Sequence, residues 1–148
     1  MKLIAEYTEQ NLEVLTEQDE KSGKKKYIIE GIFMQAEQKN RNGRIYPKPV
    51  MEKALSKYNS EQVSKGRAVG ELNHPEGPTV NLDKVSHKIE SLKWKGNDVV
   101  GKATILETPM GQIVKGLLDG GVNLGVSTRG MGSLKNGNDA MIVQEDFM

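Results

Sequence analysis

Two short segments of this 148-residue chain carry residue types that can do covalent chemistry. Gly125-Val126-Ser127-Thr128-Arg129-Gly130-Met131-Gly132 reads as a strand over 123–128 that delivers Ser127 into a glycine-rich turn. Backbone N–H groups with little side-chain cover can hold a developing oxyanion, and Arg129 adds positive charge beside them. Gly70-Glu71-Leu72-Asn73-His74-Pro75 ends a second predicted strand and presents His74 ahead of a proline, which keeps its backbone extended. Acyl transfer needs this set: a hydroxyl, a base for its proton, and fixed donors for the oxyanion. Of the two histidines, His74 is the better base, because His87 lies in or just before a strand. Each feature also has an unreactive reading. A histidine before proline can be structural, and a serine in a glycine turn can satisfy its own backbone.

Other chemistries find less support. The chain has no Gly-x-x-x-x-Gly-Lys-Ser/Thr phosphate loop, and Gly130-Met131-Gly132-Ser133 lacks the third glycine of a dinucleotide fingerprint. Cysteine is absent, which removes disulfides, thiolate metal sites and cysteine nucleophiles. The histidines lack an acidic ligand pattern, so neither a metal nor a cofactor is expected. With 21 Lys+Arg against 20 Asp+Glu and 5% aromatic residues, neither a cationic nucleic-acid wrapper nor a base-stacking platform is expected. No apolar run approaches membrane-spanning length, and the N-terminus lacks the apolar core of a secretory signal.

The elements that must position these residues alternate between two periods. Residues 1–26 are the least globular part, read as an N-terminal hairpin and flexible segment: a strand over 12–16, a turn over 19–24, and a return over 26–34. Residues 27–148 form the main domain. Asn40-Arg41-Asn42-Gly43-Arg44 is a polar loop closed by Pro47. Met51, Ala54, Leu55 and Tyr58 then give one helical stripe, with Pro47 and Pro49 at its start and Gly66 at its end. Strands are expected over 67–72, 88–94 and 98–106, the last two joined at Gly96-Asn97. Thr108 and Pro109 open a second helix with the stripe Met110, Ile113, Val114, Leu117 and Leu118. The order implies α+β, with a closed or strongly curved antiparallel sheet flanked by helices. Ala140 to Val143 begins a strand that nothing after Met148 closes, so the chain reads as a fragment lacking its last strand.

Five blocks in one order give the sequence a resemblance to a known family. They are Ile29-Glu30-Gly31-Ile32-Phe33-Met34-Gln35-Ala36, Asn40-Arg41-Asn42 with Arg44-x-Tyr46-Pro47, Gly70 to Pro75, Trp94-Lys95-Gly96-Asn97-Asp98-Val99, and Gly125-Val126-Ser127 with Arg129-Gly130. Together they resemble the prohead core serine proteases of T-even-like tailed bacteriophages. That resemblance implies a fold related to herpesvirus assembly proteases, an antiparallel β-barrel flanked by helices. It implies an endopeptidase inside the prohead, in the host cytoplasm, that cuts scaffold and capsid precursors and self-associates. Ser127 then matches the nucleophile and His74 the base, with backbone N–H groups near Arg129 and Gly130 as the oxyanion hole. The third catalytic member stays open, with His87, Asp139, Glu145 and Asp146 as in-chain candidates.

Relatives favour cleavage after glutamate in an Ile/Leu-x-Glu context, and a glutamate pocket needs a cation. Arg41, Arg44 and Arg129 are the candidates, in that order. The chain itself contains Ile4-Ala5-Glu6, Leu15-Thr16-Glu17, Ile28-Ile29-Glu30 and Ile105-Leu106-Glu107. Leu15-Thr16-Glu17 is the one expected to be open to self-processing. The competing class is a non-catalytic capsid-assembly protein that binds scaffold with a protease-like fold.

Overall fold

The computed structural model describes residues 2–7, 13–18, 25–73, 79–137, 140–144 and 146–148. In chain order the strands are β1 (Lys2–Tyr7), β2 (Glu13–Gln18), β3 (Lys25–Gln35), β4 (Arg44–Ile45), β5 (Val69–Glu71), β6 (Val85–Lys95), β7 (Asp98–Ile105), β8 (Ser127–Gly132), β9 (Leu134–Asn136) and β10 (Met141–Val143). The α-helices among the described residues are α1 (Lys48–Tyr58) and α2 (Pro109–Asp119).

Apolar alternation builds the largest sheet, β2-β3-β7-β6-β5. β2 and β3 pair antiparallel as expected, with Leu15 opposite Ile28, while the predicted turn over 19–24 lies outside the described residues. β6 and β7 flank Gly96, whose φ of +63° supplies the tight turn. β4-β10-β9 and β1-β8 form two smaller sheets. The architecture is mixed α+β. The expected closed barrel is not seen among the described residues, because the five-stranded sheet keeps two separate edges, β2 and β5.

α1 starts at Pro47, with Pro49 in its first turn, and buries Val50, Met51 and Leu55. A single π turn, Asn59–Val63, carries the chain on to Gly66 at φ +68°. α2 starts at Thr108, whose Oγ1 accepts the Gly111 N–H at 3.1 Å and whose hydroxyl donates to the Val85 carbonyl at 2.5 Å. Its buried face is Gly111, Val114 and Lys115, whereas Ile113 of the expected stripe is 48% exposed. Gly111 lets the first turn press on the Leu106 carbonyl, and Lys115 buries its stem while its ammonium pairs with Glu107.

Two features go beyond the sequence reading. Within 1–26 the described strand β1 pairs with β8, and Ile4 sits in the main core with Tyr46, Met51, Leu55, Val99 and Val143. The charges of that segment had hidden the apolar residue that anchors it. The glycine-rich stretch after Ser127 is strand, not turn, and the strand expected over 123–128 begins only at Ser127. The glycines are there for close approach. A methyl at Gly130 would lie 2.6 Å from the Phe147 ring, and one at Gly132 3.3 Å from it. Met131 and Met148 exchange backbone hydrogen bonds at 2.8 and 2.9 Å, so the last residues described line the far edge of β8.

Phe33 packs closely on Gly101, where a methyl would come within 2.1 Å of the ring. Gly101→Ala should therefore destabilise the fold by about 1–3 kcal/mol through overpacking. A urea titration checks this: the midpoint falls while the slope stays constant.

Candidate active site

Ser127 opens β8 half-buried, directly after a stretch without regular structure over 122–126. β8 runs antiparallel to β1 with Tyr7 opposite Ser127, Glu6 opposite Thr128, Ala5 opposite Arg129 and Ile4 opposite Gly130. His74 lies outside the described residues, and so do Pro75, Asp139 and Glu145. The chain leading to His74 is described. β5 ends at Glu71, and Asn73 takes a left-handed φ of +67°, a conformation asparagine tolerates better than most residues.

What links the two segments is a second apolar cluster of Tyr27, Ile105 and Val114. Leu72, two residues before His74, and Leu124, three before Ser127, both pack against it. A two-residue and a three-residue reach is about 7 and 11 Å of extended chain. The segments that carry the proposed base and nucleophile are thus anchored on the same few side chains.

The candidates for a third member fall in different places. His87 sits on β6 opposite Gly70, four residues before His74. Its ring occupies the space a side chain at Gly70 would fill, since a methyl there would lie 2.2 Å from Nε2. Its Nδ1 is 2.9 Å from the Ser86 hydroxyl, and burial lowers its pKa. Asp146 is taken up by Ser133, accepting the N–H at 2.9 Å and the hydroxyl at 2.5 Å. Those bonds hold its carboxyl below the usual aspartate range.

The expected oxyanion donors separate. In an antiparallel ladder the N–H groups of consecutive residues point to opposite edges. Met131 spends both backbone groups on Met148, so Gly130 and Thr128 direct theirs toward β1, while Arg129 directs its own toward the other edge. The N–H groups of Arg129 and Gly130 thus face opposite edges while β8 stays extended.

Of the arginines expected to meet a substrate glutamate, Arg41 is exposed on its loop, and the Arg44 guanidinium donates to Glu6 Oε1 at 2.5 Å. Glu6 is 9% exposed and also accepts from the side-chain amides of Asn42, at 2.8 Å, and Asn40. The loop holds these donors by bonds of its own. Asn40 Oδ1 accepts the N–H groups of Asn42 and Arg44, each at 3.0 Å, and Gly43 takes φ +75°. Burial first, and then the charge of Glu6, raises the pKa of the neighbouring Tyr46 phenol. Reading the sequence named Asn40, Asn42 and Glu6 in separate segments without joining them. The signal was a glutamate closing the apolar run Leu3-Ile4-Ala5 and a loop spaced Asn-x-Asn-x-Arg.

A family model described as prohead core protein serine protease matches residues 7–148. The chain is 47% identical over 125 residues to the prohead core protein protease of Enterobacteria phage T4, a match covering 80% of this chain and 58% of that protein. It thus spans somewhat over half the length of that relative. The fold is similar to the solved structure of the bacteriophage T4 capsid assembly protease, with a TM-score of 0.91, 40% identity, and coverage of 99% of this chain and 92% of that one.

The buried His87 gives a pH test. With its folded pKa below the ordinary 6.5, the unfolded chain takes up the proton first, so stability rises with pH across that window. Stability should be fully present above pH 6.5 and fall as the pH drops below it, and His87→Gln should flatten that part of the slope. Thermal unfolding of both proteins between pH 8 and pH 5 (roughly the range in which histidine titrates) reads the difference.

Proposed function

The chain belongs to the prohead core protein serine protease family, and from that premise we propose that it is a serine endopeptidase of prohead maturation. Ser127 attacks the scissile carbonyl while His74 takes its proton and returns it to the leaving amine, and water then releases the acyl-enzyme by the same route. The observation that carries this reading is the shared anchoring of Leu72 and Leu124 on the cluster of Tyr27, Ile105 and Val114. The substrates are scaffold and capsid precursor proteins inside the prohead, cut after glutamate in Ile/Leu-x-Glu contexts. Arg41 and Arg44 belong to the loop that reads that glutamate.

The chain also processes itself at Leu15-Thr16-Glu17. This sequence lies on β2, an edge strand, where peeling exposes an extended backbone. Ile28-Ile29-Glu30 sits on β3 with neighbours on both sides, and Ile105 is buried.

Incubating the full chain with scaffold and capsid precursors should yield fragments ending in glutamate. Ser127→Ala and His74→Ala should each lower cleavage by at least about 10⁴-fold without lowering the melting temperature. A fluorophosphonate should label Ser127 alone. Binding of scaffold that is untouched by Ser127→Ala, with no product at any time, identifies a non-catalytic assembly protein instead. N-terminal sequencing of aged protein should find the first cut after Glu17, and a first cut within 105–107 counts against it.

A further inference from the structure

The Glu6 site has the build of a binding site that the chain fills itself. A carboxylate at 9% exposure is an expensive way to close a strand, because an apolar side chain would bury there without desolvating a charge. Its three donors all come from one loop, residues 40–44, and that loop is shaped by bonds that do not involve Glu6: the Asn40 clamp on two N–H groups and the turn at Gly43. The donor set is therefore organised ahead of its occupant, as a recognition subsite should be. The occupant arrives on β1, which pairs only with β8 among the described residues. The register lays the Glu6–Tyr7 peptide beside Ser127–Thr128. Two residues earlier, on the same face, Ile4 is 1% exposed in the core. β1 thus presents an apolar residue, any residue, and a caged glutamate along the strand that begins at the proposed nucleophile.

We infer that β1 lies in the substrate groove as an intramolecular stand-in for substrate, and that Asn40, Asn42 and Arg44 form the subsite for a substrate glutamate. The inference rests on Ser127 being the nucleophile. Substrate then binds by strand addition to β8, with main-chain bonds to Thr128 and Gly130 and side-chain reading at alternate positions. Tethering keeps the chain's own segment at high local concentration, so an outside peptide must displace it. A cut after Glu17 would turn β1 into a free peptide, whose departure opens the groove.

The test uses the full chain carrying Ser127→Ala, which cuts nothing, and a labelled peptide of residues 2–7, Lys-Leu-Ile-Ala-Glu-Tyr. Adding Glu6→Gln should tighten peptide binding by about tenfold or more, the worth of one charge-assisted contact removed from the competitor. The same peptide with glutamine in place of glutamate should bind about tenfold more weakly, and Arg44→Ala should abolish the difference. Equal weak binding to both chains, or equal binding of both peptides, overturns the inference. Should Glu6→Gln fail to fold, hydrogen exchange on the Ser127→Ala chain decides. β1 amides that exchange by local opening well before those of β7 support a displaceable strand, and exchange only with global unfolding overturns it. A negative result leaves hydrolysis by the wild-type chain to be judged separately, and an inactive wild-type chain leaves the binding result standing.

Discussion

A buried carboxylate must be paid for by donors, and in this protein that requirement ties the N-terminal strand to the rest of the fold. Glu6 is held by Asn40, Asn42 and Arg44, so β1 cannot settle beside β8 without also docking on the loop before β4. β4 in turn pairs parallel with β10, whose Val143 shares the core with Ile4 and Tyr46. Tyr46 stacks edge-on against Phe147 at 5.2 Å, and Phe147 closes on Gly130 and Gly132. One ionic contact thus sits in a ring of contacts that closes around β8, the strand that Ser127 opens.

Most regular elements were legible because their signals are local. The β6–β7 turn at Gly96, the Thr108 cap of α2 and the Pro47–Pro49 start of α1 each lie within a few residues of the structure they specify. What was misread depends on partners far along the chain. Gly130 and Gly132 look like turn residues until Phe147 is seen pressed on them, and periodicity carries no trace of that approach. Ile113 has the right spacing for the core of α2 but is displaced by Gly111 and Lys115, whose fit depends on Leu106 and Glu107. The N-terminal segment looks unstructured on its charges, because the three groups that compensate Glu6 lie 34 to 38 residues away.

The candidate site reads in the sequence as residue types and not as geometry. Ser127 and its glycines, and the Gly70 to Pro75 segment, stand out by composition, whereas their common anchor on Tyr27, Ile105 and Val114 is purely tertiary. Gly70 shows the same division. Its place in the motif suggests a strand end, but its reason is the His87 ring lying across it from β6. A side chain at position 70 would displace that ring and move the strand that leads to His74. Placing glycine there keeps β5 close to β6 at the point where the chain turns through Asn73.

The alternation of β8 constrains how an oxyanion can be held. Along an extended strand only every second N–H faces a given edge, so a strand on the β1 side meets the amides of Thr128 and Gly130 and not that of Arg129. The Arg129 amide becomes useful only to a carbonyl on the opposite edge, where Met148 already pairs with Met131 two residues on. A hole built from two adjacent amides would require β8 to bend out of the extended conformation at its first residues. Glycine at 130 makes that bend cheap in backbone terms, but the Phe147 ring against it makes the bend costly in packing. In the extended strand the donor nearest the proposed nucleophile is therefore the Thr128 N–H, and it faces the Glu6 carbonyl across the ladder.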